Sequence, residues 1–165
     1  MTYASFSHGL RHGGEAPLGT TNHNAVLDPS RSRQVEFGAK GIINENITLS
    51  AALFQISTGL EYIKTVAPNT TTFVRSGEQL HRGLELGAQG KAFQGLNYSV
   101  SLMALNTRQE GTGTSIDGKR PPNVAPFKSS TVLEYAVPIV AGLKVSGVWQ
   151  YSGKKAVNNE NVQFV

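Results

Sequence analysis

His8 and His12 stand four residues apart in His8-Gly9-Leu10-Arg11-His12-Gly13-Gly14-Glu15, with Glu15 three residues further on. On a helix, two imidazoles at that spacing and a nearby carboxylate would share a face and could hold a divalent metal. Gly9, Gly13 and Gly14 disfavour a helix, so the segment reads as a surface loop and its histidines as loop side chains. Glu36 and Glu85 are the other pair that could do acid–base work. Each sits on the polar parity of a strand-like segment, where a charge on a wetted wall is the commoner arrangement. The 165 residues include no cysteine, which removes thiolate nucleophiles, Cys-ligated zinc, iron–sulfur clusters and disulfides. Neither a Gly-x-Ser-x-Gly elbow nor a P-loop occurs. The reading is of a protein that is not an enzyme, with no metal site and no cofactor of its own.

The elements that carry these residues are strands. From Gln34 to Ile43, Val35, Phe37, Ala39, Gly41 and Ile43 alternate with Gln34, Glu36, Gly38 and Lys40. Asn44-Glu45-Asn46 has turn chemistry. Ile47 to Ser57 alternates again, with Phe54 and Ile56 breaking the phase near its end. The same period recurs over 79–91, 96–107, 127–137 and 143–153, and a short strand over 2–7 precedes them all. Short turns at 44–46, 92–95 and 138–142 alternate with long connections at 8–30, 58–78 and 108–126. Glu36, Lys40, Glu85, Lys91, Lys128, Glu134 and Lys144 all fall on the polar parity; Arg82 alone falls on the apolar one.

Strands of about 10–12 residues, with short turns at one end and long loops at the other, predict a transmembrane β-barrel wall. Lipid admits only helices and closed barrels, because every backbone polar group must be paired. The low charged content, 16%, fits one face in lipid. The run of about 18 apolar residues that a membrane helix needs is missing, and the N-terminus lacks the basic and apolar regions of a signal peptide. A net charge of +4 would suit nucleic acid, but the basic residues are dispersed without a basic run or interleaved aromatics, so no nucleic-acid partner is expected. Alternation alone leaves a second architecture open, a soluble antiparallel barrel or sandwich with the apolar parity as its core.

Several segments then carry a resemblance. Tyr3-Ala4-Ser5-Phe6-Ser7-His8-Gly9-Leu10 resembles the "YASYSEG" strand of TonB-dependent outer-membrane siderophore receptors. The segment Leu27 to Lys40 is similar to that family's "L-x-P-x-x-S-x-x-Y/F-E-x-G-x-K" stretch, and Ser50 to Ile56 to its next strand. Arg82-Gly83-Leu84-Glu85-Leu86-Gly87-Ala88-Gln89-Gly90 resembles "RGLELSASG". Gly118 to Pro126 resembles the "GKRVPNVPR" end of a surface loop, and Tyr151 to Lys155 a following strand end. In this order and spacing the matches cover nearly the whole chain.

The resemblance implies an all-β, antiparallel up-and-down transmembrane β-barrel segment of about seven to eight strands, with long extracellular loops and short periplasmic turns. A full receptor has a plug, a TonB box and 22 strands. This chain is expected to supply seven strands and the start of an eighth at Val162 to Val165, as a partial barrel domain over 1–165 without plug or TonB box. The implied function is energised uptake of a ferric siderophore across the bacterial outer membrane. The implied partners are the siderophore itself, the TonB–ExbB–ExbD complex and outer-membrane lipid. Basic and aromatic loop residues suit such an anionic chelate. The candidates are His8, Arg11, His12 and His23 in the first long connection, with Arg108, Lys119 and Arg120 in the third. Arg82 is expected to snorkel to the interface or meet lipid phosphates. The alternative is a small self-contained β-barrel with a structural or binding role.

Overall fold

A computed structural model describes all residues from Met1 to Val165. Seven strands, β1 (Thr2–Arg11), β2 (Ser30–Ile43), β3 (Ile47–Ala67), β4 (Thr70–Phe93), β5 (Leu96–Glu110), β6 (Phe127–Ala136) and β7 (Lys144–Ser152), pair antiparallel in chain order. The sheet is a single open meander. Its β1 and β7 edges have no strand beside them.

The register turns the sequence alternation into two faces. Phe37, Leu53, Leu84, Ala104 and Phe127 are successive cross-strand partners, forming one apolar row. On the opposite face Lys40, Ser50, Gly87, Ser101, Ser130 and Gln150 form another row at a neighbouring height. Glu36, Glu85, Lys91, Lys128, Glu134 and Lys144 share that polar face. Lys144 bridges to Glu134 at 3.2 Å along it. Tyr3 lies over Gly38 and Phe54 over Gly83, each ring occupying the space that a Cβ on the glycine would need. Such aromatic cover restores the packing that a strand glycine lacks.

The apolar face is not a core. Phe37 and Leu53 are each 61% exposed, and only 15 of the 165 residues are buried. A self-contained soluble barrel or sandwich would bury one parity throughout, and this sheet neither closes nor stacks on a second. The small buried cluster that exists, Leu60, Tyr62 and Ile116 with Val74 against it, sits at the long-connection end.

Four expectations are corrected. The stretch 58–78 is no loop: β3 and β4 run on through it as a hairpin arm that turns at Pro68-Asn69. Asn69 takes φ 59°, the conformation a type II turn needs after proline. A bulge between Gly59 and Glu61 shifts the register, and that shift hides the period of two. Phe54 and Ile56 do not break the phase, because pairing runs unbroken from Ile47 to Gly59 and both keep the polar parity. β1 continues to Arg11 and β5 to Glu110, so His8, Arg11 and Arg108 lie in strands. No eighth strand forms at 162–165; the segment folds back in an isolated bridge from Phe164 to Ala156.

Candidate functional site at the loop end of the sheet

Two long connections, 12–29 and 111–126, and the arm of β3 and β4 gather at one end of the sheet. The first connection is laced to the arm. Glu61, facing Arg75 across the hairpin, accepts from its Nη2 at 2.8 Å and its Nε at 3.2 Å. The other Glu61 oxygen accepts the Gly14 N–H at 3.1 Å, and Arg75 donates to the Asp28 carbonyl. The Glu61 side chain is only 7% exposed, so the pair is held largely out of water. Asn22 acts as a strand stand-in. Its amide donates to the Phe73 carbonyl at 2.9 Å and accepts the Phe73 N–H at 3.0 Å. Thr21 N–H adds a bond to the Thr71 carbonyl at 2.8 Å.

The second connection is fixed around Gln109, which is fully buried. Its backbone pairs with Gly118 and Lys119 at 2.8 Å each. Its side-chain amide donates to the carbonyls of Arg120 and Asn159 at 3.2 and 3.1 Å. Asn161 brackets Arg120, accepting its N–H at 2.8 Å and donating to its carbonyl at 2.9 Å. Within the loop, Asp117 accepts from the Thr112 N–H and hydroxyl at 2.9 and 2.7 Å and from the Gly113 N–H at 3.0 Å. These bonds, that from the Thr112 backbone first, hold its carboxyl below the usual aspartate value.

The residues expected to bind a ligand fall into two sets. Arg11 lies opposite Ser30 on the polar parity, and His12 follows it in the connection. Lys119 and Arg120 are exposed side chains on the pinned backbone beside Gln109. His8 and Arg108 stand on the other face. His8 pairs with Arg33 in register and meets the Phe6 ring edge-on at 4.6 Å, while Arg108 lies opposite Leu80. His23 lies in the turn beside Asn22. No three acidic or histidine side chains converge as metal ligands. The geometry is that of a braced rim with free cations, above a polar wall that carries a depression of about 690 Å³ lined in part by Glu85, Lys128, Gln150 and Lys155. Such a surface can attract and hold an anion; it holds no paired nucleophile and base.

Glu61, Arg75, Gln109 and Asn161, which build the rim, are not among the sequence candidates. A hairpin centred on Pro68-Asn69 would have set Glu61 near Arg75; the others depend on long-range packing.

Residues 1–164 match the family model described as TonB dependent receptor-like, beta-barrel. The ferrichrome receptor FcuA of Yersinia enterocolitica is 30% identical over 167 residues, covering 96% of this chain and 21% of that protein. The ferric preacinetobactin receptor BauA of Acinetobacter baumannii superposes with a TM-score of 0.74 at 24% identity, over 99% of this chain and 25% of that one. The ferric yersiniabactin uptake receptor FyuA of Yersinia pestis gives 0.75 at 15% identity, with the same coverage. At these identities the structural likeness is one of fold. The chain thus spans between a fifth and a quarter of the length of these relatives.

Proposed function

Since the chain belongs to the TonB-dependent receptor β-barrel family, we propose that it forms part of the wall and rim of an outer-membrane receptor that takes up a ferric siderophore. The observation that carries this is the two-faced wall. One face stays uncharged for about 20 Å from the short turns up to the row of Arg82, as lipid requires, and the other is polar with a braced cationic rim at one end. The names of the relatives, receptors for ferrichrome and other iron chelates, support the substrate class. Energy would come from the TonB–ExbB–ExbD complex, acting through parts of the receptor outside residues 1–165. No cofactor belongs to this wall; iron travels as cargo.

Within that reading Arg11, His12, Lys119 and Arg120 supply positive potential at the mouth. His8 and Arg108, on the lipid parity, do not contribute contacts inside it. A field of this kind raises encounter rates with an anionic chelate and fades with salt. Replacing Arg11, Lys119 and Arg120 with glutamine in a complete receptor carrying this segment is expected to slow ferric-siderophore association several-fold at low ionic strength and little at high. Whole-cell binding at two salt concentrations, with receptor abundance checked, measures this. Equal rates for mutant and parent at low salt would reduce the three cations to solvated loop charges.

A further inference from the structure

The arm that β3 and β4 form above Gly59 and Gly77 is gripped from both sides. In register Glu61 faces Arg75, Ile63 faces Phe73 and Tyr62 faces Val74. Alternation therefore puts Glu61, Phe73 and Arg75 on one face of the arm and Leu60, Tyr62 and Val74 on the other. The connection 12–29 lies on the first face. Gly14 donates to Glu61, a Cβ on Gly14 would stand 3.2 Å from the Phe73 ring, and Arg75 holds the Asp28 carbonyl. The connection 111–126 lies on the second face, where Ile116 packs with Leu60, Tyr62 and Val74. No hydrogen bond joins the two connections to each other, so the arm is what links them.

The foot of the arm also touches both. A Cβ on Gly59 would meet the Ser30 Cβ at 3.3 Å, where the first connection enters β2. Gly77, at φ 74°, lies so close to Glu110, Gly111 and Thr112 that a Cβ there would overlap them. The register shifts between Gly59 and Glu61. A ribbon broken by a bulge on one strand and a left-handed glycine on the other bends more readily there than in its regular part. The hydroxyls of Tyr62, in the cluster with Ile116, and of Ser30, beside Gly59, are buried without a hydrogen bond. Such groups favour a neighbouring arrangement in which an acceptor or water reaches them.

We propose that the arm is a pivoting strut, which tilts about Gly59 and Gly77 and carries both connections with it, so that 12–29 and 111–126 seat and loosen as one unit. The arrangement described above is the seated one; in the tilted one the Tyr62 hydroxyl gains a partner. His12 on one connection and Lys119 and Arg120 on the other are then placed by one equilibrium instead of two. This concerns how the rim is held and does not rest on what the receptor carries.

The test is hydrogen–deuterium exchange, read by mass spectrometry on a complete receptor carrying this segment in detergent. Glu61→Ala releases the Gly14 side of the arm, and Glu61 makes no hydrogen bond to 111–126. It is expected to speed exchange about fivefold in 12–29 and by a similar factor in 111–126. Ile116→Ala, on the opposite side, is expected to speed exchange in both connections as well. Tyr62→Phe removes the unpaired hydroxyl while keeping the ring, and is expected to slow exchange about threefold in both. It is the mildest of the three and decides the matter should either alanine variant not fold. Amides of β2 and β5 within the wall are the reference and are expected to keep their parental rates. A change confined to the connection on the substituted side would overturn the strut, since the two would then move separately. A change that spreads to the reference amides would overturn it too, because the sheet and not the arm would be loosened. Faster exchange in Tyr62→Phe would likewise overturn it, by showing that the hydroxyl holds the arm in its seat.

Discussion

Arg75 shows how one side chain sets the shape of the rim. It reaches Glu61 and the Asp28 carbonyl together, while Glu61 takes the Gly14 N–H, so three separate stretches of chain meet at one ion pair. Removing one partner of a buried pair costs about 3–5 kcal/mol. Arg75 is 23% exposed, and solvent screening brings the expected loss from Arg75→Ala to about 1–2 kcal/mol. That loss is local, because the sheet below is held by its own ladder. Limited proteolysis of the complete receptor should then cut within 12–29 about tenfold faster, with unfolding of the barrel unchanged. Cleavage at the parental rate would mean that Asn22 and Thr21 hold the loop without the ion pair. Alternation does not reveal this contact, because the bulge after Gly59 scrambles the period of two around Glu61; only the turn at Pro68-Asn69 points to it. His8 and Arg108 were misplaced for a related reason: glycine- and charge-rich strand ends resemble loops when read by composition.

At the scale of the element, parity was the legible feature, and register preserves it. Charges assigned to the polar side by counting in twos from Glu36 to Lys144 stay there in all strands. Each lower strand end was also readable, since tight turns such as Gln94-Gly95, with Gly95 at φ 88°, bound it sharply. Upper ends were not, because β3 and β4 continue past the lipid boundary with mixed polarity. The parity makes a sharp prediction. Leu86→Arg or Val100→Arg, in register on the uncharged face as Leu86 with Leu102 and Ala88 with Val100, should cost roughly 2–4 kcal/mol in a complete receptor. Gln89→Arg or Ser99→Arg, directly opposite each other on the polar face, should cost less than half as much. Folding titrations into lipid vesicles measure both, and equal penalties would reverse the assignment of the faces.

At the scale of the whole molecule, the sheet has a greasy face, a wet face and two bare edges, and it lacks the core that would let it stand in water. Expressed alone in plain buffer, the 165 residues are expected to aggregate or to require detergent, since unpaired edges and a wide apolar patch both recruit further copies. A sharp monomer peak with a cooperative thermal transition would sink this expectation. The same meander has a kinetic corollary. Every strand pairs only with its neighbours in the chain, across gaps no longer than the connections 12–29 and 111–126. Closing such gaps carries a modest entropic penalty that grows only slowly with length. Assembly can therefore advance one hairpin at a time, with no distant contact to await. Lengthening the connection 111–126 by about ten flexible residues in a complete receptor carrying this segment should therefore slow folding into lipid vesicles by no more than about twofold, and a larger delay would mean that this connection is itself part of the folding nucleus.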